Sequence, residues 1–210
     1  MLVFDHITVA AVDIESGVAY AEKALGVPIP RGGAHPSMGT HNHLLRLGPG
    51  VFLEIIAPDP EARPRRARWF GLDDDGLRAG LAASPRLLTW VARTPGLEDA
   101  LASVDGAAGP AVRVSRGDLS WLIGVPEDGS MPFDGAFPTL IEWPPGPHPS
   151  DGMADHGCRI ERLIVEHPRG DQIAIALRPH MADERIVVRT GVRVRLEAVI
   201  AAPGGVRVLT

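Results

Sequence analysis

The feature that most restricts the fold of this chain is one order of elements that occurs twice. Residues 2 to 10 are rich in Val, Ile and Phe and alternate, with Val3, Ile7 and Val9 opposite Phe4, His6 and Thr8. This predicts a strand with two distinct faces. A helix follows: Asp13 ahead of Ile14-Glu15-Ser16 marks its start, Val18, Ala21 and Leu25 form its apolar stripe, and Gly26 with nearby Pro28 ends it. A short strand around Val27 to Arg31 and two further strands, His41 to Leu47 and Val51 to Ala57, complete the run. The last two flank Gly48-Pro49-Gly50, a hairpin signal. Residues 1–57 therefore read β-α-β-β-β.

The same order returns over residues 87–144. Leu87-Leu88-Thr89-Trp90-Val91-Ala92 opens a strand, and Pro95-Gly96-Leu97-Glu98 leads into a short helix through Ala100, Leu101 and Val104. Strands follow near Ala111 to Ser115, Leu119 to Val125 and Thr139 to Trp143. Asp13-Ile14-Glu15 falls on Gly96-Leu97-Glu98, and Leu53-Glu54-Ile55 falls on Ile141-Glu142-Trp143. Each half is too small to bury its own sheet, so the duplication predicts that the two pair.

The organisation expected is a first unit over 1–57, a helical connector over 58–85 with Trp69, Leu72, Leu77 and Leu81 at helical spacing, a second unit over 86–146, and a C-terminal strand-helix-strands unit over 147–210. The last is reached through the Pro-rich link Pro144-Pro145-Gly146-Pro147-His148-Pro149. Periodicity leaves open whether it is a third, diverged copy or a separate ferredoxin-like unit. The fold class is α+β, with curved mixed sheets.

Composition removes several functions. With 210 residues, 45% of them hydrophobic and 22% charged, the chain has the proportions of an ordinary globular protein. The formal net charge is -5, Lys23 is the only lysine, and no stretch clusters cations with aromatics as a nucleic-acid groove would. The Arg63, Arg65, Arg66 and Arg68 run sits beside Asp73, Asp74 and Asp75 and reads as a solvated surface. Cys158, the single cysteine, excludes an internal disulfide and reads as a buried structural thiol. No apolar run approaches the roughly 18 residues of a membrane span, and the N-terminus lacks signal-peptide character, so a cytoplasmic location is the expectation.

Phe4-Asp5-His6-Ile7 opening the first strand, Gly39-Thr40-His41-Asn42 entering the third, Phe52-Leu53-Glu54-Ile55-Ile56 closing the unit, and Leu140-Ile141-Glu142-Trp143 before a Pro-rich turn together resemble the glyoxalase-like branch of the vicinal-oxygen-chelate superfamily (glyoxalase, bleomycin resistance and dioxygenase proteins). The resemblance covers residues 1 to about 165 well and the rest loosely. It implies a concave sheet holding a small-molecule pocket, often with a divalent metal bound by histidine and carboxylate side chains. The superfamily includes isomerases, epimerases, extradiol dioxygenases, thiol transferases and metal-free proteins that sequester drugs. Sheets of this fold commonly complete their barrels across subunits, so a homodimer is a further expectation.

His6 and Glu54 stand where the resemblance places metal ligands. Adjacent strands lie roughly 4.8 Å apart, so one ion would reach both residues if the first and fourth strands are neighbours. Imidazole and carboxylate suit zinc, iron, manganese or nickel, and an open position would hold two substrate oxygens. The alternative is a metal-free His6 to Glu54 hydrogen bond in a polar pocket. Glu142 matches Glu54 in the second unit, which makes Glu54 and Glu142 the candidate catalytic carboxylates and His6, Glu54 and Glu142 the candidate ligand set. Thr89, rather than a histidine, matches His6.

Asn42, His43, Thr89 and Trp143 are the candidate substrate contacts. A two-residue hairpin loop would turn His43 toward Glu54, and a three-residue loop would turn Asn42 there. The Gly-Thr-His-Asn run favours Asn42 and keeps His43 as a spare ligand. A dioxygenase, which in this superfamily uses two histidines and one glutamate, would need His43. His35, His148, His156, His167 and His180 lie beside Pro or Gly and read as solvated, and Trp90, Trp121 and Trp143 read first as strand core. No Gly-x-Gly-x-x-Gly, phosphate loop, Gly-x-Ser-x-Gly or paired Cys-x-x-Cys occurs, so no nucleotide cofactor is expected. Two readings stand: a divalent-metal isomerase or lyase acting on a small oxygenated molecule, and a metal-free small-molecule binding protein of the bleomycin-resistance type.

Overall fold

The computed structural model describes residues 1–104 and 108–210. The first unit contains β1 (Val3–Ala10), α1 (Ile14–Leu25), β2 (Arg31–His35), β3 (Thr40–Arg46) and β4 (Phe52–Pro58). The second contains β5 (Arg86–Arg93), α3 (Leu97–Ser103), β6 (Ala111–Arg116), β7 (Leu119–Gly124) and β8 (Thr139–Glu142), with α2 (Asp75–Ala83) before it. These strands form one sheet in the order β2-β3-β4-β1-β5-β8-β7-β6. β1 runs parallel to β4, β5 runs parallel to β8, and the two units join through the antiparallel pair β1 and β5. The duplication is thus visible as a pseudo-symmetric sheet whose centre is the β1–β5 seam.

Local chemistry sets most boundaries. Asp13 caps α1 by accepting from the Ser16 N–H at 2.7 Å, and Gly26 ends it at φ 71°, where a side chain would be strained. β2 begins four residues later than expected because Pro28 and Pro30 have no N–H to give to a ladder. Ile29, between them, is buried in the core instead. The connector is helical only over α2. Trp69–Gly71 forms a 3-10 turn in which Phe70 has φ 59°.

Faces of the sheet are segregated. Ile7, Val9, Leu53, Ile55, Trp90 and Leu140 point outward to the helices, whereas Ile56, Val91, Ile123 and Ile141 point inward. The edge strands β2 and β6 meet, with the Arg116 stem lying against Gly33. The sheet is therefore curled nearly to a barrel around its inner face.

The C-terminal elements are β9 (Arg159–His167), α4 (Gly170–Leu177), β10 (Ile186–Thr190), β11 (Arg195–Ala202) and β12 (Gly205–Leu209). They repeat the β-α-β-β-β order but pair differently. In the second sheet, β10-β9-β11-β12, the opening strand lies parallel to the strand after the helix rather than to the last one. Leu163, Val165, Leu196, Ala198 and Ile200 join the outward core of the first sheet. This sheet backs the barrel and contributes nothing to its interior.

Candidate functional site

A β-bulge builds the site. Along the β1–β5 ladder Phe4 pairs with Ala92 and His6 with Val91, which leaves Asp5 as an extra residue. The bulge puts Phe4 and His6 on opposite faces, contrary to the simple alternation expected: Phe4 packs edge-on to Trp90 in the outer core, and His6 turns inward. Asp5 is completely buried behind His6.

The Asp5 carboxylate gathers donors from across the chain. His6 Nδ1 lies 2.6 Å from Oδ1, while His148 Nε2 at 3.0 Å, Trp143 Nε1 at 2.9 Å and an Arg93 guanidinium nitrogen at 3.4 Å converge on Oδ2. Burial pushes this carboxyl up, but the hydrogen bonds and charges of His148 and His6 outweigh it and hold the group well below the ordinary carboxylate range. With Nδ1 facing Asp5, His6 directs its Nε2 to the interior. Its ring stacks on Phe52 with centroids 4.4 Å apart.

Opposite stands Glu54. Its Oε2 is 3.8 Å from His6 Nε2 and accepts from the Thr8 hydroxyl at 3.4 Å. Its Oε1 accepts from the Asn42 amide at 2.6 Å, and Asn42 is fixed in turn by the Gly33 N–H donating to its Oδ1 at 3.0 Å. His35, almost fully buried, contacts the Thr40 hydroxyl at 3.0 Å and lies edge-on to Trp69 and Trp121. Burial depresses its imidazole to about 4, with the positive charge of Arg116 adding and Glu54 opposing, so His35 is neutral at pH 7.

These groups enclose a cavity of about 20 Å³, room for a water molecule or a very small ligand. Its walls include His6, Glu54, Phe52, Trp121, Trp143 and Arg116. The wider clefts open elsewhere; the largest, between β5, α1 and β11, contains none of the residues just described.

The structure brings His6, Glu54, Asn42 and Trp143 together and separates the remaining candidates. The hairpin loop spans five residues, with Arg46 opposite Phe52, and the resulting register turns Asn42 inward. His43 faces away and contacts the Ile29 carbonyl at 2.7 Å. Thr89 is buried, but its hydroxyl donates to the Gly135 carbonyl at 3.2 Å and does not line the cavity. Glu142 lies on the outer face, where its Oε2 accepts from the Leu97 N–H at 2.7 Å and caps α3. In β8 and just after it the inward residues are Ile141 and Trp143, so superposing Glu142 on Glu54 is one residue out of register with the pleat.

That register decides the metal question. A catalytic divalent site needs about three protein ligands, and the third expected here was Glu142. Among the described residues no group of three His, Cys, Asp or Glu side chains is placed to hold an ion. Asn42 turns its NH₂, not its oxygen, toward Glu54, and the Arg116 guanidinium shares the cavity. This donor set does not fit a divalent ion.

Asp5, His35, His148 and Arg116 line or support the pocket although the sequence pattern assigned them no role in it, and Trp121, read first as strand core, lies in its wall. His35 and His148 follow or precede prolines and read as solvated, yet one is buried in the wall and the other reaches Asp5. His167 is also buried, 3.7 Å from Asp134.

Similarity to known proteins bears on the fold. A crystal structure of a hypothetical protein from Staphylococcus aureus matches with TM-score 0.58 and 13% identity, covering 93% of this chain and 88% of the other. A Streptomyces coelicolor methylmalonyl-CoA epimerase variant in complex with 2-nitronate-propionyl-CoA matches with TM-score 0.45 and 15% identity, over 70% of this chain and 98% of that one. The methylmalonyl-CoA epimerase of Mycobacterium tuberculosis matches with TM-score 0.43 and 18% identity, over 68% and 88%. No curated protein sequence matches the chain. The family model described as a glyoxalase-like domain matches residues 4–180.

Proposed function

On the premise that the chain belongs to the glyoxalase-like domain family, we propose that its pocket catalyses proton transfer on a small oxygenated molecule, an isomerase- or lyase-type reaction run by side chains. The observation that supports this reading is the Asp5–His6–Glu54 arrangement: a histidine held from behind by a buried carboxylate, with its Nε2 3.8 Å from a second carboxylate, in one small pocket. Acid–base catalysis needs two such groups within reach of adjacent atoms.

Glu54 takes the proton from a carbon next to a carbonyl and returns it to the neighbouring carbon. His6 Nε2 accepts the hydroxyl proton of the substrate and delivers it to the adjacent oxygen, so no proton is gained or lost overall. Asn42 and Thr8 hold the Glu54 carboxylate in place for the transfer. Excluding water strengthens each of these interactions.

The test is proton NMR of hydroxyacetone and of pyruvate in D₂O with the protein present. Protein-dependent loss of the signals from carbons next to the carbonyl, abolished in Glu54→Gln and His6→Gln, is expected. A second reading, binding without chemistry, is favoured by the aromatic walls Phe52, Trp121 and Trp143. Ligand-dependent tryptophan fluorescence with no exchange would select it.

A further inference from the structure

Some polar groups of the cavity are partnered, those of His6, Glu54 and Asn42 among them, and other donors on its walls are not. Arg116, at the end of β6, lies along Gly33 of β2: a Cβ at Gly33 would stand 2.8 Å from the Arg116 Cγ and 2.9 Å from its Cδ. Only glycine leaves room for the arginine stem to cross this seam and line the cavity. There the guanidinium has no carboxylate within 4.0 Å among the described residues, and burial together with the more distant Glu54 are what act on its charge. Trp69 and Trp121 line the same cavity at 3% and 5% exposure, and their indole N–H groups have no acceptor among the described residues. A buried donor left without an acceptor is costly, and two such indoles beside a guanidinium that has no carboxylate partner among the described residues make this part of the void a demand for an acceptor.

Glu54 does not meet that demand, since Asn42, Thr8 and His6 already surround its oxygens. A planar anion does, because a guanidinium and flanking N–H groups match the two oxygens of a carboxylate. We propose that the ligand of this pocket carries a carboxylate, held by Arg116 and the indole N–H groups of Trp69 and Trp121, with its neighbouring carbonyl or hydroxyl carbon directed at His6 and Glu54. The void of about 20 Å³ is smaller than a three-carbon acid, so its walls must move outward to admit the ligand, which is a short oxo- or hydroxy-acid. The inference deepens the reading above and shares its site, but concerns recognition rather than chemistry.

Titration of tryptophan fluorescence with pyruvate and with its neutral isostere pyruvamide tests it, with inorganic phosphate as a tetrahedral anion. Pyruvate is expected to bind at least about tenfold more tightly than pyruvamide, the effect of one hydrogen-bonded charge. Arg116→Met removes that ratio, urea unfolding reporting that the variant is folded, and Arg116→Lys restores part of it. Equal binding of pyruvate and pyruvamide, no binding of pyruvate, a ratio unchanged in Arg116→Met, or phosphate binding as tightly as pyruvate would overturn the proposal. Proton exchange separates the two readings. A carboxylate preference without exchange sinks the catalytic reading alone, and exchange on hydroxyacetone as fast as on pyruvate with no charge preference sinks this one alone.

Discussion

His148 and Asp5, 143 residues apart, meet at 3.0 Å between Nε2 and Oδ2, and through this contact the Pro-rich link closes the rear of the pocket. His148 Nδ1 lies 2.8 Å from the Ser150 hydroxyl, whose oxygen accepts from the Gly50 N–H at 3.1 Å. The hairpin loop, the link and the first strand are thereby tied into one polar network around a single carboxylate. Such a network is worth keeping only when every member is satisfied, and the Asp5 oxygens have donors on both sides.

Replacing Asp5 with Asn is therefore expected to cost about 3 kcal/mol at pH 7, because His6, His148, Trp143 and Arg93 lose a buried charged partner. The carboxyl is depressed in the folded state, so its contribution is complete above the ordinary value of 3.8 and fades as pH falls below it. Urea unfolding of both proteins should show a gap that is constant near neutrality and narrows in acid. A gap that stays constant into strong acid would mean that Asp5 is not the anchor.

His35 has the same sign for a different reason. Its imidazole is depressed from 6.5 to about 4 because burial disfavours the cation, so the unfolded chain takes up the proton first. Stability is unaffected above pH 6.5 and falls as pH drops toward 4, by on the order of 3 kcal/mol in total. His35→Gln, which keeps an amide for Thr40 and cannot be protonated, should flatten the stability profile across that window. Equal slopes for the two proteins between pH 6.5 and 4 would contradict the assignment.

Much of the fold was legible in the sequence because its signals are local. Strand alternation, the Asp13 and Gly26 caps and the repeated element order all act within a few residues. The site was legible only in part. His6 and Glu54 were found because the family resemblance and strand alternation point to the same positions, and Asn42 because of the Gly39-Thr40-His41-Asn42 run. Asp5 was missed because a bulge adds one residue to the pleat, and no period of two can register it. The same limit misled the reading of Glu142, whose outward facing depends on the β8 register. His148 and Arg116 were hidden for another reason: one reaches Asp5 from the Pro-rich link and the other crosses the β2–β6 seam, tertiary contacts with no short-range mark.

Glu54 and Glu142, alike in sequence context, should separate cleanly on mutation. Glu142→Ala removes the acceptor for the Leu97 N–H and is expected to cost about 1 kcal/mol, as for a lost helix cap. Pyruvate-dependent tryptophan fluorescence should be unchanged in it. Glu54→Gln, which puts an amide where Asn42 donates, should abolish proton exchange. Loss of exchange in Glu142→Ala with a folded protein would return that residue to the pocket.

Gly32 gives the sharpest test of how the pocket is held. A Cβ there would stand 2.2 Å from the Asn42 Oδ1 and 3.0 Å from the Leu44 Cγ, so a methyl group can enter only if Asn42 turns. Turning it breaks both the Gly33 N–H contact and the 2.6 Å bond to Glu54. Overpacking alone costs about 1–3 kcal/mol, and a lost hydrogen bond to a charged group adds a comparable amount. Gly32→Ala should thus lose about 3 kcal/mol in urea unfolding and slow proton exchange. Gly152→Ala, where the added methyl meets nothing within 4 Å, should stay within about 0.5 kcal/mol of the parent. If the two variants unfold alike, Asn42 is not the clamp that sets Glu54, and the carboxylate must be held by Thr8 and His6 alone.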